Sequence, residues 1–334
     1  MESAPERAHQ PLAADRPIEL AVEIGRGLRF QNPVVAAAGA FGFGVEHVAL
    51  LDVDRLGAIC TRGVTLQARS GNPPPRIADS PAGLLNAVGL QNPGLAAVVD
   101  RYSETWAGWS VPVVVNLAAD SIAGFVELVQ RLEGVAGVAG VELNLSCPNA
   151  ATGTQFALDA TAAGALTAAV RRATDLQLLA KLSAGAPDLR PIARAIADAG
   201  ADALTAINTV AGVEVAPARD RLLFDGVYGG LSGPAMKPIA LRVVAEVAQV
   251  VDIPVIGMGG VTSLDDVLDF LAVGAVAVGV GTALFAEPGL PVRLVDELTA
   301  ECRRRGLDSY RPLIGTALPK RKLPPSIRSV EYRP

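Results

Sequence analysis

Aromatic residues are scarce in this 334-residue chain: they make up 4% of it, while half of the chain is hydrophobic. Such an interior has to be filled by Ala, Val, Leu and Ile, the small and branched side chains that suit the layers of an α/β barrel. A basic excess is lacking too. The formal net charge is −5 and no cluster of basic and aromatic residues occurs in the body of the chain, which excludes the electrostatic footprint of a nucleic-acid binder. Cysteine is rare and odd in number. Cys60, Cys147 and Cys302 lie far apart, which excludes a disulfide framework or a local zinc or iron–sulfur ligand set and fits a reducing cytoplasm. The first seventeen residues hold no apolar segment, so neither a secretory signal nor a membrane-lying helix is expected. The uncharged run at 270–286 is slightly short for a membrane span and is broken by Gly274, Gly279 and Gly281, so it reads as buried strand.

What the chain does have is alternation. Eight short apolar runs with the character of fully buried strands recur at 33–39, 58–64, 111–117, 140–146, 178–183, 203–208, 254–257 and 275–280. Most precede an alanine-rich amphipathic stretch of helical length, as at 120–132, 159–173, 189–199, 234–250 and 264–272. Such alternation implies a parallel sheet, and eight strands close it. The expected fold is therefore α/β, a (β/α)8 TIM barrel in a single domain, an architecture that accommodates this length. Residues 1–17 are expected to be a tail outside the fold and 18–310 the barrel. Residues 311–334 are expected to be a C-terminal extension whose Lys320, Arg321 and Lys322 form a solvated end. Two stretches interrupt the alternation, 65–92 after the second strand and 209–233 after the sixth. Both leave the carboxyl ends of strands, where barrel enzymes place their chemistry, and are expected to be loops that cover a substrate.

Polar residues gather where the strands stop. In VELNLSCPN at 141–149, the period of two puts Glu142 and Asn144 on one face, with Asn144 nearer the mouth and Cys147 opening the next loop. A lone cysteine ordinarily packs as a small hydrophobe, but at this end of a barrel strand it is a candidate catalyst. Asn86, Asn116, Asn144, Asn149 and Asn208 with Thr209 recur at equivalent places. Each can cap a helix or turn. Together their donors and acceptors match a flat ligand whose edge alternates carbonyl and N–H groups, as pyrimidines and flavins do. Two glycine turns, GMGG at 257–260 and GVGT at 279–282, follow the last two strands. That is where barrels bind phosphate through backbone N–H groups, although glycine also serves ordinary turns. Lys181 and Arg62 sit on apolar strands. A cofactor contact, or an ion pair with a carboxylate such as Glu142, would satisfy either charge.

On these residues the chain resembles the catalytic subunit of class 1 dihydroorotate dehydrogenases, in the type 1B, NAD-linked branch, over about residues 18–285. The carriers are NPVVAAAGAFGFG from Asn32, GNPPPRIADSPAGLLNAVGLQNPG from Gly71, VELNLSCPN from Val141, GGLSGPAMKP from Gly229 and IPVIGMGG from Ile253. The resemblance implies FMN at the barrel mouth. Its phosphate would lie on Gly259, Gly260, Gly281 and Thr282, and its ring would be approached by Ala38, Arg62, Gly63, Asn116, Asn144, Lys181, Ile207 and Gly233. It implies a substrate held by Arg62, Asn86, Ala87, Val88, Gly89, Leu90, Asn144, Asn149, Asn208 and Thr209, with Cys147 as the base where membrane-linked class 2 enzymes carry serine. The implied activity is oxidation of dihydroorotate to orotate in pyrimidine (UMP) biosynthesis, Cys147 removing the C5 proton while hydride leaves C6 for flavin N5 on the opposite side. A free thiol titrates at about 8.5, so the rate is expected to climb with pH.

The type 1B branch further implies an electron-transfer subunit with FAD and an iron–sulfur cluster, for which this chain has no cysteines to spare. A homo-oligomer is the expected assembly, with neither nucleic acid nor membrane as partner. One position departs from the family: the usual second-strand lysine reads Arg62 in CTRGVT. Arginine can bind a carboxylate bidentately, but its head is larger, planar and permanently charged. Three other readings stay open on the residues alone. One is an FMN oxidoreductase for a different dihydropyrimidine, which activity on carboxylate-free rings would reveal. Another is a flavin-free phosphate-binding barrel lyase with Lys181 as amine nucleophile, which flavin absorbance would dismiss. The third is a flavin binder whose pocket Arg62 has blocked, which no dihydropyrimidine would reduce.

Overall fold

In the computed structural model, which describes residues 16–147, 155–224 and 228–319, the chain opens with a hairpin of β1 (Val22–Gly25) and β2 (Leu28–Phe30). Asn149, the segment before Arg16 and the basic stretch at 320–322 lie outside the described residues. The hairpin leads into β3 (Val34–Ala36) and β4 (Ala58–Cys60). After β4 come β5 (Ile77–Ser80), β6 (Gly83–Asn86), α1 (Leu95–Ala107) and β7 (Val113–Leu117). Strict alternation follows through α2 (Ile122–Leu132), β8 (Val138–Asn144), α3 (Ala160–Arg171), β9 (Gln177–Leu182), α4 (Arg190–Asp198) and β10 (Ala203–Ala206). Then β11 (Val210–Gly212) and β12 (Gly229–Ser232) precede α5 (Lys237–Ala248), β13 (Val255–Met258), α6 (Leu264–Ala272), β14 (Ala277–Val280) and α7 (Leu290–Arg304).

Eight parallel strands close in chain order, β3-β4-β7-β8-β9-β10-β13-β14, with β14 returning to β3. This is the (β/α)8 barrel that the alternation implies. All six residues of β9 and all five of β7 are buried: such strands face helices outside and the barrel filling inside, which is why they read as unbroken apolar runs. The helices begin at polar caps. Ser121 Oγ accepts from Gly124 N at 3.2 Å ahead of α2, and Asp159 Oδ1 accepts from Ala162 N at 2.6 Å ahead of α3. In α7 the positions Leu290, Leu294, Leu298 and Cys302 turn one stripe into the core.

The two interrupting stretches are more ordered than loops. They contribute β5, β6, β11 and β12, which pair antiparallel in the order β11-β12-β6-β5. Segments that leave two separate barrel strands thereby satisfy each other's backbone groups above the mouth. At the amino end of the barrel the β1–β2 hairpin is fastened by charge. Arg26 Nε meets Asp202 Oδ1 at 2.9 Å, while Asp202 Oδ2 accepts from Arg171 Nη1 at 3.1 Å and from Leu178 N at 2.8 Å. The core continues past Tyr310, whose hydroxyl donates to Val276 O at 2.8 Å, to Leu313 and Ile314. Among the described residues no helix is long and apolar enough to cross a membrane.

Asp202→Ala would leave Arg171, itself only 11% exposed, without its carboxylate. Removing one partner of a buried pair costs about 3–5 kcal/mol. The expected outcome is a clearly lower midpoint in urea unfolding, with the chemistry at the opposite end of the barrel intact in the folded fraction.

Candidate active site

A cavity of about 1300 Å³ opens at the carboxyl ends of the strands. Single small ligands fill roughly 300–1,000 Å³, so this chamber has room for two. Every site residue nominated from the sequence that lies among the described residues lines it. Of the three thiols, only that of Cys147 does so. The two stretches expected to be loops form part of its wall through Leu84 and Asn86 of β6 and Leu231 and Ser232 of β12.

The floor is a polar cluster set by strand register. Asn116 of β7 pairs with Glu142 of β8, and Lys181 of β9 lies between Asn144 of β8 and Thr205 of β10. Residues in register share a face, here the interior. Glu142, 1% exposed, accepts from Asn116 Nδ2 at 2.6 Å, from Thr205 Oγ1 at 2.6 Å and from Cys60 Sγ at 3.2 Å. Its carboxylate is 4.0 Å from Lys181 Nζ, the long ion pair of a buried ammonium that also lines the cavity. Of the two readings open at the level of sequence, the ion pair with Glu142 is present, and the cavity position of Lys181 leaves a cofactor contact open. With Nδ2 of Asn116 committed to Glu142, its Oδ1 is left beside Gly63 at the cavity wall. Cys60 is spent on this cluster; burial, then Glu142, pushes its thiol far up. Cys60 and Thr205 were missed as polar partners because on paper they are ordinary strand residues.

Around the rim, Asn208 Nδ2 donates to Asn144 Oδ1 at 3.1 Å and to Ser146 Oγ at 3.0 Å, while Asn208 Oδ1 accepts from Thr209 N at 2.8 Å. Asn86 Nδ2 donates to Gly230 O at 3.0 Å, across the β6–β12 pair. Asn208 is thus held at both ends of its amide, and Asn86 through its nitrogen. Arg62 lines the cavity with no ion-pair partner among the described residues. Cys147 is held by its backbone, donating to Asn144 O at 3.2 Å and accepting from Phe156 N at 3.3 Å. Burial pushes its thiol up to about 11; the backbone N–H of Ala119 and the charge of Arg69 oppose that rise, and Asp120 adds to it.

The far end of the cavity is built from the two glycine turns. The amide groups of Gly260, Val261, Gly281 and Thr282 line it and donate to nothing among the described residues. At Gly281 a Cβ would meet only Ala37 Cβ, at 3.9 Å, and would stand in the cradle itself. Unpaired N–H groups at a wall that a Cβ would fill fit the phosphate of a cofactor such as FMN. The buried ammonium of Lys181 and the amides of the floor fit a polar ring edge.

Glu142→Ala would strand the donors of Asn116 and Thr205 together with the Lys181 ammonium. The expected cost is about 3–5 kcal/mol, measured as a lowered unfolding midpoint. Glu142→Gln keeps an acceptor and should lose less.

A family model described as dihydroorotate dehydrogenase matches residues 19–302. Among curated relatives, the "Dihydroorotate dehydrogenase B (NAD(+)), catalytic subunit" of Desulforudis audaxviator (strain MP104C) is 44% identical over 301 residues, covering 90% of this chain and 98% of that protein. The proteins of the same name from Geobacter sp. (strain M21) and Bacillus pumilus (strain SAFR-032) are 41% and 42% identical. Each match covers 86% of this chain, with 95% and 94% of the respective relative. With the match spanning both the barrel strands and the residues around the cavity, the chain belongs to the dihydroorotate dehydrogenase family, in its branch of type B catalytic subunits.

Proposed function

We propose that this chain oxidises dihydroorotate to orotate in pyrimidine biosynthesis, with FMN in the cavity and Cys147 as the base. The observation that carries the reading is the cavity: one chamber with room for two ligands gathers a thiol, several fixed amides, a buried ammonium and an anion-seeking wall. Family membership sets aside the flavin-free lyase.

FMN, when bound, supplies the acceptor for the substrate's hydride. Gly259, Gly260, Gly281 and Thr282 would hold its phosphate, and Lys181, Asn116 and Asn144 would meet its ring against Ala38, Gly63, Ile207 and Gly233. Asn86, Asn144, Asn208 and Thr209, with residues 87–90 and Asn149, orient the substrate ring. Arg62, without an ion-pair partner among the described residues, takes its carboxylate, a role for which a planar fork is suited. Cys147 then accepts the proton from substrate C5. The buried setting that pushes this thiol up makes the thiolate a strong base once formed and a minority species at neutral pH. The names of the relatives, catalytic subunits of a type B, NAD(+) enzyme, support a second subunit that takes the electrons onward; FAD and an iron–sulfur cluster belong there in this reading.

Anaerobic mixing of the purified protein with dihydroorotate, followed at the flavin absorbance band, tests it. Bleaching is expected, slowed about 10²–10⁴-fold in Cys147→Ala with flavin content unchanged. Below a thiol value of about 11, the thiolate fraction grows with pH, so the bleaching rate should rise about tenfold per unit between pH 7 and 9. A flat profile over that range would remove the thiolate base. Bleaching by a carboxylate-free dihydropyrimidine but not by dihydroorotate would reassign the substrate.

A further inference from the structure

The wall that faces the anion end of the cavity rests on a carboxylate that does not line it. Asp266, in the first turn of α6, is 7% exposed. Its Oδ2 accepts from Thr262 N at 2.8 Å, Thr262 Oγ1 at 2.9 Å, Ser263 N at 2.9 Å and Ser263 Oγ at 3.0 Å. Its Oδ1 accepts from Lys237 Nζ at 2.6 Å, and the same ammonium reaches Asp269 Oδ2 at 2.6 Å. A single acid therefore ties the residue after the Gly259–Gly260–Val261 turn to the first residue of α5.

The turn lies between these two anchors. Gly260 has φ +79°, and a Cβ there would come within 2.9 Å of Lys237 N and 3.0 Å of Gly233 O, so the backbone at the start of α5 packs directly on the turn. The N–H groups of Thr262 and Ser263 are consumed by Asp266, whereas those of Gly260 and Val261, at the cavity wall, have no partner among the described residues. Lys237 does not line the cavity, because its head is drawn to Asp266 and Asp269.

We infer that Asp266 is a positioning residue for anion binding. It clamps the 259–261 turn between α5 and α6 so that backbone N–H groups, and not the nearby lysine, receive the phosphate. The clamp selects which donors meet the anion: those before Thr262 remain free, and those after it are already occupied.

This inference rests on the proposed reading that the cavity takes FMN with its phosphate on these turns. The test is therefore the ratio of affinities for FMN and for riboflavin, which differ by that phosphate alone. The full-length chain, stripped of flavin, is titrated with each and followed by quenching of flavin fluorescence. In Asp266→Asn the FMN-to-riboflavin ratio should fall about tenfold or more, the worth of a charge-assisted hydrogen bond, while riboflavin affinity holds. Lys237→Met cuts the tie to α5 but leaves the contacts of Asp266 with Thr262 and Ser263 in place, so it should lower the ratio by clearly less than Asp266→Asn does. Asp266→Glu retains the charge but lengthens the arm by one methylene, so it too should lower the ratio; it carries the test if the Asn variant does not fold. An unchanged or raised ratio in both Asp266 variants overturns the inference. So does an equal fall in Lys237→Met, which would give the role to the lysine. A wild-type chain that binds riboflavin as well as FMN would instead remove the phosphate reading itself, and this inference with it.

Discussion

Closure of a parallel sheet is the constraint on which the rest depends. Parallel neighbours need a crossover between them, so each barrel strand runs the same way and each ends at the same rim. Residues far apart in the chain, from Ala38 to Thr282, are brought around one cavity for that reason alone. The opposite rim has a different task. There the Arg26–Asp202–Arg171 cluster and the β1–β2 hairpin hold the chain together without touching the cavity.

The interior of the barrel is not uniformly apolar. Most of it is filled by Val, Leu and Ala, but Glu142, Asn116, Thr205 and Lys181 form a buried polar layer just under the mouth. A buried carboxylate is tolerable only when its lone pairs are occupied, and the three donors to Glu142 meet that demand. The same bonds have a consequence for ligands. Because Glu142 takes the amide nitrogen of Asn116, the oxygen is what remains towards the cavity, and because the pair with Lys181 is long, the ammonium keeps the capacity for another partner. Packing in the core thus decides which atoms are presented at the surface of the site.

Two ends of the cavity use opposite means. At one end lie side-chain amides held by neighbouring hydrogen bonds and the Cys147 thiol, whose backbone is bonded to Asn144 and Phe156. At the other end the backbone is exposed, with N–H groups that have no partner among the described residues where glycine brings the chain close. Burial raises the thiol at the first end, while at the second end Asp266 is held down at about 2: burial alone would raise it, but Lys237, Thr262 and Ser263 outweigh that. The paired sheet β11-β12-β6-β5 covers the side of the cavity where Asn86 lies, and it does so with backbone groups that would otherwise face the mouth unpaired.

The barrel was legible because its determinants are local: eight apolar runs alternating with amphipathic stretches carry the strand and helix signals in their own composition. The gathering of Cys147, Asn144, Lys181 and the glycine turns was legible for the same reason, since each sits at a strand's carboxyl end and the fold class alone says that those ends meet. Pairing between β6 and β12 was not legible, because its partners are separated by more than a hundred residues and neither stretch has the apolar alternation that would announce a strand. Nor could composition reveal that Glu142 spends Cys60 and Thr205 as donors or that Asp266 accepts from the backbone of Thr262 and Ser263 beside the glycine turn. Sequence by itself determined which residues stand at the rim; only the tertiary structure decided which of their atoms are already bonded and which remain free for a ligand, because hydrogen-bond partnership depends on distances of a few ångströms between segments far apart in the chain.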